Sequence, residues 1–224
     1  MDTSSPLRSL LVAGCLFAGC QQGASVDEDA VTSDPVNAET MTFFLTSIGP
    51  GNGADLGGLD GADTHCAALA EAAGAPTRTW RAYLSTATVD ARDRIGAGPW
   101  VNSRGVTVAA SLEALIPDAE GLTKASVLSE VGDIINGRGD RPNRHDVLTG
   151  TGIDGRVVRT EDGVLTCSDW TSSDDGQAVV GHHDRVGGGQ RPTHWSSAHA
   201  SRGCSQDNLR SSGGDGLFYC FAID

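Results

Sequence analysis

The sequence predicts an α+β fold, an antiparallel sheet with flanking helices and long loops closed by disulfides. Three observations predict it. Around Thr79, the residues Trp80, Ala82 and Leu84 alternate with Arg81, Tyr83 and Ser85, the two-residue period of a half-buried strand. Between Gly61 and Ala73, the apolar residues Ala62, Cys66, Leu69 and Ala73 recur at steps of four, three and four and share one helical face. The remainder alternates short apolar bursts with long polar loops, in a chain of 224 residues with 30 glycines and only 5% aromatics. Such a chain has few large anchors and much irregular structure, and its mix of a helix with short strand-like bursts places it in the α+β class.

The elements follow in order. Arg8 precedes an apolar run over residues 9–19, well short of the roughly 20 residues of a membrane-spanning helix, which reads as an export signal. The run ends in Phe17-Ala18-Gly19-Cys20, small residues before a cysteine. That segment resembles a bacterial lipobox, which implies a lipoprotein signal peptide over 1–19 and a diacylated Cys20 at the new N-terminus. Cys15 in Val12-Ala13-Gly14-Cys15 has the same pattern, but leaves too short an apolar run after Arg8. The competing reading is a plain signal peptide with incidental cysteines.

Residues 20–40 lack aromatics and are small, polar and acidic, as a flexible tether requires. The domain expected over 41–224 opens with a β-rich run, MTFFLTSIG, ended by Gly49-Pro50. A glycine-rich loop leads into the helix, with Asp60 or Asp63 available to cap it and Gly74 to close it. After the strand around Trp80 come a helical turn, a turn at Gly98-Pro99 and a short strand. Short helices are expected over 111–116 and 124–135, followed by the bursts DVLTGT, GVLTCSDW, QAVVG and GLFYCFAID.

Six cysteines are present. Cys15 leaves with the signal and Cys20 carries lipid, so Cys66, Cys167, Cys204 and Cys220 remain for an oxidising compartment. Two disulfides are expected, and spacing leaves all three connectivities open. No C-x-x-C occurs, so zinc knuckles and thioredoxin-type redox motifs have no support. The formal charge of −13 argues against nucleic acid, polyanions and an anionic bilayer as partners. Membrane contact is expected through the lipid anchor only.

The segments TWRAYLS, VLTGTGIDGR, LTCSDWTSSDDGQAVVG, SRGCS and LFYCFAI, in this order, resemble the endostatin domain of collagens, a variant of the C-type lectin-like fold. The likeness covers 41–224. LGGLDGADTHC, ARDRIGAGPW and SRGCSQDNL are also similar to segments of bacterial lipoproteins loosely called lectins. The resemblance implies a nested pairing, Cys66 with Cys220 and Cys167 with Cys204, and a binding surface on the long loop between the second and third cysteines.

That loop supplies the candidate ligand-binding residues. Trp195 offers a stacking face, with His194, Ser196, Ser197, Asp184 and Arg185 as polar partners for a sugar or peptide. Trp170, beside Cys167, reads as a core anchor. The calcium motifs of C-type lectins are poorly matched: Arg141-Pro142-Asn143 and Trp195-Ser196-Ser197 stand in their places, and arginine cannot ligate calcium. Asp55, Asp60 and Asp63, and Asp169, Asp174 and Asp175, read as caps and solvated loops. His182, His183, His194 and His199, with Asp184, have zinc-ligand chemistry but no paired spacing, and read as hydrogen-bonded loop histidines. No cofactor is expected, since neither calcium nor zinc has a supporting motif. Arg138-Gly139-Asp140 is the integrin tripeptide, a combination that arises readily by chance in a glycine- and aspartate-rich chain.

No G-x-S-x-G, H-E-x-x-H or phosphate-binding glycine loop occurs, so no catalytic residue is expected. The function expected is a non-catalytic cell-envelope binding protein that recognises a glycan or envelope polysaccharide. The alternative is a structural or adhesive lipoprotein with a protein partner. Gln21 after Cys20 favours the outer membrane or cell surface over the inner membrane.

Overall fold

The final strand organises the fold, because both of its faces are buried. The computed structural model describes residues 36–187 and 191–224, so the signal peptide expected over 1–19, the lipidation expected at Cys20 and the part of the expected tether over 20–35 lie outside the described residues. In chain order come β1 (Phe43–Leu45), α1 (Gly58–Ala72), β2 (Trp80–Ala82), β3 (Trp100–Val101), β4 (Thr107–Ala109), α2 (Leu112–Leu115) and β5 (Asp146–Leu148). Then follow β6 (Arg159–Thr160), β7 (Gly163–Val164), β8 (Val179–His182), β9 (His199–Ala200), α3 (Gln206–Ser212) and β10 (Gly214–Ala222). The main sheet has the order β1-β10-β5-β8-β9, with β2 also paired to β10, while β3-β4 and β6-β7 form two small ladders.

This is a mixed α and β architecture, and the sheet departs from the expected antiparallel arrangement at one ladder. β5 runs parallel to β10, with Leu148 opposite Phe218, whereas the other pairs in the sheet are antiparallel. Parallel neighbours need a long crossover. The excursion through β8, β9 and α3 supplies it.

Along β10, Leu217, Tyr219 and Phe221 enter one core while Phe218, Cys220 and Ala222 enter the other. The two-residue period therefore divides a continuous apolar run between two cores, as expected of a strand covered on both faces. Phe43 and Leu45 of β1 join the first core and Phe44 the second. Tyr83, expected on a polar face, is fully buried for the same reason.

Helix α1 buries Ala62, Cys66 and Ala70. Its N-cap is Gly57 rather than an aspartate. Asp63 instead lies inside the helix, accepting from Arg94 at 2.7 Å, from Arg81 at 2.8 Å and from the Ala82 amide at 2.9 Å. Arg81 and the Ala82 amide lock it to β2, while its ion pair with Arg94 is nearly dry, with 9% of each side chain exposed. Helix α2 forms where expected, capped by the Ser111 hydroxyl. The helix expected over 124–135 is absent: Leu128 and Ile134 form an isolated bridge around a turn. There the Ser129 hydroxyl accepts from the Asp133 amide, a local bond that competes with helical pairing.

Two disulfides join Cys66 to Cys220 and Cys167 to Cys204. The first pins α1 to the central strand. The second closes a left-handed turn, Cys167–Trp170, in which all four residues have positive φ between 49° and 69°. Such backbone costs roughly 1–2 kcal/mol per residue. Neighbours over-determine it: Trp170 Nε1 donates to the Ser85 carbonyl at 2.7 Å, and Asp169 accepts from the Ala87 amide at 2.9 Å. Trp170 is the core anchor that the sequence suggested, with no exposed surface.

Candidate functional site

The register of three strands brings the principal polar cluster together. Asp146 stands directly opposite His182 on the β5-β8 ladder, and Val180 stands opposite His199 on the β8-β9 ladder. Cross-strand partners share a face, and so do residues two apart in one strand. Asp146, His182 and His199 consequently project to one side. His145, immediately before β5, stacks on His182 with ring centroids 4.2 Å apart, and His199 meets His182 edge-on at 5.0 Å.

Three ring nitrogens face one carboxylate oxygen. His145 Nε2, His182 Nε2 and His199 Nε2 lie 3.1, 3.2 and 3.5 Å from Asp146 Oδ1. The Asp146 side chain is 1% exposed, His182 0%, His145 5% and His199 25%. Despite these separations, neither Asp146 oxygen nor His182 Nε2 has a partner in hydrogen-bond geometry.

The far nitrogens are firmly held. Nδ1 of His182 donates to the Pro192 carbonyl at 2.7 Å, Nδ1 of His145 to the Val186 carbonyl at 3.0 Å, and Nδ1 of His199 to the Ala200 carbonyl at 2.9 Å. Gly187 closes over the ring stack, since a Cβ there would stand 2.5 Å from His182 Cε1.

No family model and no curated protein matches the chain. Burial works against the Asp146 charge, but the surrounding His182, His199 and His145 more than offset it and hold the carboxyl down at about 2. Burial would depress His145, yet Asp184 and Asp146 raise it. Asp146 raises His199 against the same penalty. The centre of the cluster is a place where positive charge is stabilised. Among the described residues, His145, Asp146 and His182 also satisfy the mutual separations of a metal-binding group, with ligand atoms within 4.8 Å of one another.

The residues expected to bind ligand lie elsewhere, and most face inward. Trp195 is fully buried between Tyr83 and Tyr219, at ring separations of 4.8 and 5.4 Å, and its carbonyl accepts from the Tyr219 hydroxyl. The expected stacking face is therefore corrected to a core contact. Ser196 and Ser197 are buried, and their amides donate to His194 Nδ1 at 3.2 and 3.1 Å. Asp184, also buried, accepts from the amides of Arg138 and Val186 and lies 3.5 Å from His145 Nδ1. His145 and those amides hold its carboxyl well below the usual range against the cost of burial. Arg185 pairs with Asp118. The long loop spends these side chains on its own packing.

Of the four loop histidines grouped by sequence, only His182 and His199 meet. His183 points the opposite way along the strand and contacts the Asn136 carbonyl, while His194 contacts that of Pro117. Burial lowers the pKa of both. The sequence reading missed His145 and Asp146. Their signal was a His-Asp pair at the mouth of a strand-like burst.

The other oxygen clusters do not gather. Asp63 is committed to arginines, Asp55 accepts from Asn52 and the Gly57 amide, and Asp169 accepts from Thr166. Within Arg138-Gly139-Asp140, Asp140 is held by Lys124 and the Gly137 amide.

Beside β9 runs a groove of about 450 Å³. Val158, Leu165, Val179, Ala198 and Ala200 supply apolar surface, with Thr160, Arg191, Ser197 and His199 as polar groups. His199 thus belongs both to the groove and to the buried cluster. Among the described residues no helix is long and apolar enough to cross a membrane.

Proposed function

We propose that this chain is a non-catalytic binding protein of the bacterial envelope, in which a C-type-lectin-like domain recognises a glycan or envelope polysaccharide in the groove beside β9. The groove carries this reading. Its apolar floor and its few polar groups, Thr160, Arg191 and His199, are the combination that orients a small polar ligand while removing water from its carbon faces. The acidic surface charge suits a neutral or cationic saccharide better than a polyanion.

The nested disulfides agree with the endostatin resemblance, and the segment ending at Cys20 supports export and lipid anchoring. Two structural disulfides favour an oxidising compartment. The non-catalytic reading rests on the cluster's closed composition: three imidazoles and a carboxylate occupy one another's space, which leaves little room for a substrate.

A glycan array probed with the full chain tests the reading. Binding that weakens at least tenfold in Arg191→Ala, at unchanged stability, supports the groove. Absence of binding to any glycan by folded protein would overturn it. β9 ends the main sheet, so an extended peptide adding to that strand is the second reading, and would give a protein partner instead.

A further inference from the structure

We infer that His145, Asp146, His182 and His199 form a binding site for a zinc-class divalent transition-metal ion, coordinated by the three Nε2 atoms and Asp146 Oδ1. The inference goes beyond the glycan reading and stands without it. Three separate observations carry it.

The first is the direction of the protons. Carbonyl oxygens can only accept, so the contacts to Pro192, Val186 and Ala200 place a proton on Nδ1 of each of His182, His145 and His199. In the neutral rings each Nε2 is then a bare lone pair. All three face Asp146 Oδ1, which is itself only an acceptor. Acceptors gathered in a dry interior repel unless a cation lies among them.

The second is spacing. A tetrahedral ion with bonds of roughly 2.0–2.1 Å holds its ligand atoms about 3.3 Å apart. The separations from Asp146 Oδ1 are 3.1, 3.2 and 3.5 Å, and the ligand atoms of His145, Asp146 and His182 lie within 4.8 Å of one another, with His199 at the edge of that group as the fourth donor. The missing hydrogen-bond geometry at both Asp146 oxygens and at His182 Nε2 is what groups directed at a shared centre, rather than at one another, would give.

The third is the outer shell. Ligating histidines characteristically donate their second nitrogen to a carbonyl or carboxylate, which fixes the ring and strengthens it as a ligand. All three do so here. His145 Nδ1 additionally has Asp184 at 3.5 Å.

Donor chemistry selects the metal. Three imidazoles and one carboxylate suit zinc and its neighbours, whereas calcium and magnesium take oxygen ligands. His145, Asp146 and His182 form the core of the shell, and His199 closing from its edge would complete the four protein ligands characteristic of structural rather than catalytic zinc. The ion would tie β5, β8 and β9 together behind the groove, and the quarter-exposed His199 gives it a way in from that side.

The test uses the full chain, exported so that its disulfides form, stripped with a chelator and then titrated with zinc chloride. Retained zinc is measured by atomic emission after gel filtration. The expected result is one zinc per chain. Affinity should fall in Asp146→Asn and His182→Gln by more than the roughly 10- to 100-fold that loss of an outer-shell partner costs, and His65→Gln, on α1 where the ring contacts the Ile48 carbonyl, should match the parent. Should the buried variants fail to fold, His199→Gln, at the exposed margin, serves instead and is expected to lower affinity by at least tenfold. Folded parent protein that retains no zinc, or folded cluster variants that retain it as tightly as the parent, would overturn the site.

Discussion

His182 stands directly across the β5-β8 ladder from Asp146, its Nε2 3.2 Å from Asp146 Oδ1 and its Nδ1 donating the other way to Pro192. One side chain thereby joins a strand pair on one side and the long loop on the other. An ion at this junction links zinc to stability, because a ligand that binds only the folded chain stabilises it by mass action. At free zinc about 100 times the dissociation constant, folding should gain ~2.7 kcal/mol. Denaturant midpoints in zinc and in chelator measure the gain. Asp146→Asn should abolish the difference.

Trp195 and Arg191 are expected to separate stability from binding. Trp195 is fully buried against two tyrosines, so Trp195→Ala should cost about 3–5 kcal/mol in unfolding free energy. Arg191→Ala, in the exposed wall of the groove, should change stability by less than ~0.5 kcal/mol. Urea unfolding of both variants checks this, and equal costs would refute the division of the loop into core and groove.

The two disulfides should differ in worth. Their sequence separations are 154 for Cys66–Cys220 and 37 for Cys167–Cys204. On a chain-entropy account these correspond to about 5 and about 4 kcal/mol. Paired serine variants at each bridge, compared by denaturation, should show the larger loss at Cys66–Cys220, which also anchors the central strand to α1.

Alkaline pH offers a test of the first core. Tyr83 and Tyr219 are the only two tyrosines, both fully buried, and burial raises both phenols well above their ordinary value. A raised folded pKa means that the contribution to stability is complete below the unfolded value of about 10 and is lost as pH climbs beyond it. Phenolate absorbance should therefore rise together with unfolding, as a single steep transition. A gradual rise centred near pH 10, with near-UV circular dichroism intact, would show the tyrosines to be accessible.

The elements that could be read in the sequence were those whose periodicity is local. The Ala62-Cys66-Leu69 spacing gives α1, and the alternation around Trp80 gives β2. The parallel pairing of β5 with β10 has no local signature, because a crossover decides it. Trp195 beside polar neighbours reads identically as a stacking platform or as a core residue. What decides is the arrival of Tyr83 and Tyr219 from other elements. Helix 124–135 failed because Ser129 and Asp133 bond locally around a turn. Zinc-ligand chemistry was visible among the loop histidines, but its grouping was not. His182 and His183 are neighbours in sequence and point to opposite faces, while His145 and Asp146 join His182 only through strand register.

Anomalous X-ray diffraction at the zinc edge, from crystals of the full chain grown with zinc, would locate the ion among its four donors. One strong peak is expected about 2.0–2.1 Å from the Nε2 atoms of His145, His182 and His199, and at a similar distance from Asp146 Oδ1. A zinc-equilibrated crystal with intact strands β5, β8 and β9 and no anomalous peak among these four side chains would contradict it.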